Sequence, residues 1–136
     1  MIRRVYLDTN IYLDFLKDRV GETGRKLGDC ATRVFMKLMK GELTLVFSDW
    51  NQKELGYQIE GSELTTLFNL IKHIENVRTE QVDKEEAKRL STTNTGDALH
   101  AVLARKGKAD VVITRNMKDV LEFETIMRPI LPEMIN

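Results

Sequence analysis

The feature that most constrains this chain is an alternation. Short, continuously apolar runs such as "VYL", "LTLVF" and "VVI" are separated by longer stretches with a helical apolar period. Runs that lack an in–out pattern are expected where both faces of a sheet are covered, and the helical stretches between them supply the cover. The pattern predicts an α/β fold, a three-layer α/β/α sandwich with a mainly parallel central sheet. With 136 residues and 42% hydrophobic content, residues 1–136 make one domain with one real core.

Residues 2–8 read as a first strand and 10–17 as a short helix. Residues 18–29 hold three glycines and many charges, which suits a loop. Ala31, Val34, Phe35, Leu38 and Met39 give a helix that Gly41 stops. Residues 43–48 form a second strand, and Ser48 or Asp49 caps a helix carrying Leu55 and Ile59. A helix over 62–75 places Leu64, Leu67, Phe68, Ile71 and Ile74 on one face. A short third strand at "NVRTEQV", a helix over 83–90, and a polar loop leading into a helix that ends at Gly107 come next. Residues 110–116 are a fourth strand and 117–123 a short helix or turn. Residues 124–136 finish a sheet edge and a last turn.

Charge excludes little. Twenty-one basic residues balance twenty-one acidic ones, so a grip on nucleic acid would need a local patch or a metal ion rather than net charge. The single cysteine, Cys30, permits no internal disulfide and reads as a core residue. No window is apolar enough to span a membrane, and "MIRR" does not open a signal peptide, so the expected location is cytoplasmic. No His/Cys cluster suits zinc. No GxGxxG or Walker loop suits a nucleotide cofactor.

Strand ends carry the chemistry. The first strand stops at Asp8 and the fourth at Thr114, Arg115 and Asn116; the second stops at Ser48, with Glu54 in the helix beyond. Asp97 lies in the first turn of "GDALHAVLA". In a doubly wound sheet these positions share one edge. Carboxylates gathered there repel each other and raise each other's proton affinity. A hard divalent cation resolves the repulsion, since Mg²⁺ takes oxygen ligands and keeps waters or phosphate oxygens in its remaining positions.

The stretches "VYLDTNIYLDFL", "FSDWNQKELGYQI", "GDALHAVLA", "VVITRNMKDV" and "ILPEMI" follow one another in an order and spacing that resembles the PIN-domain ribonucleases, most of all the single-domain prokaryotic type of the VapC-like toxins. The resemblance covers essentially the whole chain. It implies a PIN-like fold and a metal-dependent endoribonuclease that hydrolyses RNA phosphodiester bonds at a carboxylate-bound Mg²⁺ or Mn²⁺ site. By the same resemblance Asp8, Glu54 and Asp97 match the family's metal-binding acids. Asn116 takes the main slot of the last motif, with Asp119 three residues on, so catalysis and metal binding would draw on Asp8, Glu54, Asp97, Asn116 and Asp119. Thr9, Asn10, Thr114 and Arg115 match polar positions that orient the acids, water or phosphate. The implied partners are RNA, an antitoxin protein and a second copy of the chain in a homodimer.

Other readings stand beside these. The chain could be a non-catalytic PIN-like RNA- or protein-binding module, or a housekeeping RNA-processing nuclease. A phosphatase using a strand-end aspartate would want an acid where Asn10 stands, and a receiver domain would want an acid where the second strand ends in Phe47-Ser48. Asp8 could cap a helix, Asp97 could be a dipole partner beside Asn94, and Glu54 and Asp119 could be solvated. Asp14, Asp18 and Asp49 read as solvated. His100, three residues after Asp97, reads as packing or orientation. Trp50 reads first as core or dimer packing, with base stacking the other reading. Arg25, Lys26, Arg105, Lys106 and Lys108 read as solvated charge, with RNA-backbone contact the alternative.

Overall fold

The computed structural model describes residues 1–17 and 27–135. The elements run β1 (Arg4–Leu7), α1 (Thr9–Lys17), α2 (Leu27–Lys40), β2 (Thr44–Ser48), α3 (Asp49–Leu55), α4 (Gly61–Leu70), β3 (Ile74–Val77), α5 (Gln81–Leu90), α6 (Thr95–Lys106), β4 (Val111–Ile113), α7 (Met117–Val120) and β5 (Pro129–Ile130). Single 3-10 turns follow at Leu121–Phe123 and Pro132–Met134. All five strands are parallel, in the order β3-β2-β1-β4-β5. This is the expected α/β/α architecture, and the sheet is parallel throughout the described residues.

Two cores lie on the two faces of the sheet. Val5, Leu7, Leu45, Phe47, Val111 and Ile113 pack against residues of α1 to α4 on one face. Tyr6, Val46, Val77 and Val112 pack on the other against Ala87 of α5, against α6, and against Phe123 and Met127. Period-two alternation along each strand thus feeds two apolar layers, which is why the strands read as uninterrupted apolar runs. Helix α6 is buried continuously from Ala98 to Ala104, so its whole circumference is packed.

Local chemistry sets the boundaries. Ser48 Oγ accepts the Asn51 N–H at 3.0 Å, and the Asn51 side chain answers the Ser48 N–H. This confirms Ser48 as the cap of α3. Gly41 turns the chain out of α2 at φ +79°, a region glycine enters without strain. Gly107 allows close approach instead: a Cβ there would stand 2.4 Å from Val46 Cγ1 and 2.7 Å from Val77 Cγ2.

Several expectations need correction. The helix over 62–75 ends at Leu70, and Ile74 belongs to β3. Ile71 turns extended as the helix cap, and the Leu45 N–H takes the His73 carbonyl at 2.9 Å. A spacing of three apolar residues is met as well by a cap followed by a strand as by one more helical turn. The third strand therefore sits earlier than "NVRTEQV". Helix α5 starts at Gln81 rather than 83, because Glu80 and Asp83 close a reciprocal capping box. Of the predicted loop 18–29, residues 18–26, with Asp18, Arg25 and Lys26, lie outside the described residues, and α2 already begins at Leu27. Cys30 is half-buried near the start of α2, rather than fully in the core. No helix among the described residues is long and apolar enough to cross a membrane.

The Gly107 approach generates a direct test. Gly107→Ala is expected to destabilise the fold by about 1–3 kcal/mol, because both valines are held in the buried layer under α6. A lower urea midpoint with an unchanged slope is the expected result; an unchanged midpoint would show that the layer yields without cost.

Candidate functional site

From β1 the chain moves to β2 and β3 on one side, and from β4 to β5 on the other. The β1/β4 junction is therefore a topological switch point, where a crevice opens beyond the strand ends. Asp8 follows β1 directly and Thr114 follows β4. The Thr114 hydroxyl donates to Asp8 Oδ2 at 2.9 Å. Thr114 Oγ1 in turn accepts the Asn116 N–H at 3.0 Å. Asp8 is only 7% exposed, so this clamp fixes a carboxylate with little solvent to turn in.

Asp97 comes to the same place from the head of α6. Asp8, Asp97 and His100 form the polar rim of a small cavity floored by Ala101, Val112, Val120, Phe123 and Met127. Its volume is about 10 Å³, room for one water molecule at most. Burial against that floor raises the pKa of Asp97, and the charges of Asp8 and then Asp119 raise it further; His100 and Asn94 act in the opposite sense. Asp119 itself is exposed in α7. Asn94 Nδ2 donates to the Asp119 carbonyl at 2.8 Å, tying the head of α6 to α7.

Glu54 approaches from the other side of the crevice. Its Oε1 accepts the Thr9 hydroxyl at 2.6 Å and lies 2.7 Å from His100 Nε2. Burial works to raise the Glu54 pKa, but the His100 and Thr9 hydrogen bonds and the His100 charge outweigh it, and the net shift is downward. His100 Nδ1 is 2.6 Å from the Tyr6 hydroxyl, which lies 2.7 Å from Ser48 Oγ. A neutral ring giving Nε2–H to Glu54 accepts from Tyr6 at Nδ1, whereas a charged ring donates from both nitrogens. Asn51 Nδ2 closes the network on the Leu7 carbonyl at 3.1 Å. The capping residues of α3 thus also brace the strand that delivers Asp8.

The structure brings Asp8, Asp97, Glu54, Thr9 and Thr114 to one edge and sets Asp119 within electrostatic reach. Asn116 stands at the same loop, half-buried, and its backbone is what the contacts use. Asn10 is half-buried in the first turn of α1. Arg115 turns away from the acids: its guanidinium pairs with Asp14, one bond measuring 3.1 Å. Asp14 is fully buried, which corrects the reading of it as solvated. A buried carboxylate is stable only when paired, and the partner lies 101 residues away in sequence. Asp49 is exposed, as expected, and accepts from Thr79. Arg105 pairs with Glu86, and Lys106 with Glu80 and Asp83. Tyr6 was legible in principle, since it lies two residues before Asp8 and so shares its side of the strand.

Two desolvated, mutually repelling carboxylates form a donor set that a hard divalent cation suits and zinc does not. Among the described residues, no three His, Cys, Asp or Glu side chains assemble into a ready cage. The fit is to an ion held by Asp8 and Asp97, with its other positions left to water and phosphate oxygens.

A family model described as PIN domain matches residues 4–118. In fold the chain is similar to a chain in the crystal structure of VapBC2 from Rickettsia felis bound to a DNA fragment from their promoter. The TM-score is 0.59, at 20% identity, over 94% of this chain and 96% of that one. No curated protein matches the sequence.

Because the Asp97 pKa is raised in the folded state, its ionised form costs stability. The cost is full above the folded pKa and disappears below the unfolded value, about 3.9. Asp97→Asn, studied in EDTA, is expected to raise the melting temperature at neutral pH. That gain should shrink as pH falls through the folded pKa toward the unfolded one. A gain that persists at low pH would place its origin elsewhere than in charge.

Proposed function

Since the chain belongs to the PIN domain family, we propose that it is a metal-dependent endoribonuclease. The observation that carries the reading is the meeting of Asp8 and Asp97 at the switch point, where burial and the neighbouring Asp8 charge raise the pKa of Asp97 and so favour a cation there. Asp8 and Asp97 would hold Mg²⁺ or Mn²⁺, with Glu54 and Asp119 adding charge beside them and Asn116 a neutral ligand position. Bound there, such an ion would supply a water of lowered pKa and a counter-charge for the phosphate. Thr114 holds Asp8 in place, His100 and Thr9 hold Glu54, and a carboxylate of this edge accepts the proton of the attacking water. In-line attack leaves 5′-phosphate and 3′-hydroxyl ends.

The similarity in fold to VapBC2 supports reading the chain as the toxin member of a toxin–antitoxin pair; we further propose that it works in the cytoplasm as a homodimer, with a small antitoxin that covers the acids. A housekeeping RNA-processing nuclease would use the same edge. The non-catalytic module has one observation in its favour: the described residues form no ready cage of three ligands.

Cleavage of a pool of tRNA and rRNA by the purified protein tests the proposal. Discrete cuts are expected with Mg²⁺ or Mn²⁺ and none with EDTA. Asp8→Asn and Asp97→Asn should each lose at least about a hundredfold in rate. Absence of any metal-dependent cut would overturn it.

Metal binding is tested separately by calorimetric titration of Mn²⁺ into the wild type and the same two variants. Heat of binding is expected for the wild type alone. Equal heats in all three would move the metal away from Asp8 and Asp97.

A further inference from the structure

Beside the acids, Trp50, Lys53, Glu54, Tyr57 and Gln58 line an open groove of about 440 Å³. Their spacing of i, i+3, i+4, i+7 and i+8 puts them on one helical face. That face continues past Leu55, because the Gly56 N–H reaches the Gln52 carbonyl and the Gln58 N–H the Leu55 carbonyl, both at 2.9 Å. Glu54 belongs to the groove and to the acid edge alike. The Trp50 ring lies 6.3 Å from the His100 ring, so the groove runs directly into the network that holds Glu54.

Trp50 packs in part against the second apolar layer, as its core reading expected, but Lys53, Tyr57 and Gln58 are exposed. Tyr57 is 79% exposed. Lys53 Nζ stands over the Trp50 ring, 5.5 Å from its centroid. The Trp50 Nε1–H is buried away from the groove, without an acceptor among the described residues. A docked amphipathic helix would want aliphatic anchors, and no Leu, Ile or Val lines this groove. What it offers is aromatic surface, one cation and one side-chain amide. Those groups take a nucleobase, a phosphate and a base edge respectively.

We propose that this face is a base-stacking subsite for single-stranded RNA, adjoining the acids. Tyr57 carries the base, Lys53 meets a backbone phosphate, and Gln58 offers its amide to the base edge. The inference rests on the ribonuclease reading and adds the path by which the strand reaches the acids.

Trp50 is the only tryptophan, so its fluorescence reports the groove without a label. The probe is a single-stranded oligoribonucleotide of eight mixed bases, titrated in EDTA, with the KM of metal-dependent cleavage measured alongside. Quenching should saturate. Tyr57→Ala should raise both Kd and KM about tenfold or more, and Tyr57→Phe should restore them. Lys53→Ala should weaken binding and reduce the salt slope by about 0.7. Both side chains are exposed, and circular dichroism confirms that the variants fold. RNA that is cleaved with KM unchanged in Tyr57→Ala and Lys53→Ala overturns the subsite while leaving the nuclease intact. Unchanged RNA binding with lost capture of a protein partner also overturns it. Tyr57-dependent quenching without any cleavage upholds the subsite and counts against the nuclease.

Discussion

The repulsion between Asp8 and Asp97 is the constraint to which this edge of the molecule answers. Asp8 is fastened to Thr114 across the β1/β4 junction, and Asp97 is carried by a helix that is buried from Ala98 to Ala104. Without the second face of the sheet, α6 could tilt and the two charges would drift apart into solvent. The apolar floor of Val112, Val120, Phe123 and Met127 is therefore more than filler: it denies the acids water and so sharpens their demand for a counter-charge.

The opposite wall is built on a different principle. Glu54 has its charge answered from within the protein, by His100 and Thr9, and its pKa moves down where that of Asp97 moves up. One edge thus holds carboxylates of two kinds: Glu54, held by its protein partners, and Asp97, which burial and the Asp8 charge disfavour in its ionised form. The chain Ser48–Tyr6–His100–Glu54 joins the ends of β2 and β1 to helix α6, so the satisfied acid also keeps the two helices that flank the crevice in register.

Much of this was readable in the sequence because it follows from backbone order. A parallel sheet puts every strand end on one side, so Asp8, Thr114 and the residues after Ser48 had to meet, and a first-turn acid on α6 had to face them. The resemblance to PIN domains is borne out by the match over residues 4–118. Interactions that depend on tertiary pairing alone were not readable. Asp14 and Arg115 are each unremarkable in their own stretch, and only the packed structure makes one buried and the other its partner. The end of α4 was hidden for a related reason. Ile71 and Ile74 continue a helical spacing, yet the hydrogen bonds open beside β2 captured that stretch for the sheet.

The edges of the sheet have a consequence for how the molecule meets its own copies. β5 is two residues long and begins with Pro129, which has no N–H to offer. The other edge strand, β3, carries Glu75 in an ion pair with Arg4. A neighbouring strand would find a donor missing on one side and a charge on the other, the devices by which sheets refuse growth. Among the described residues, neither edge of the five-stranded sheet offers a clean ladder to a second copy.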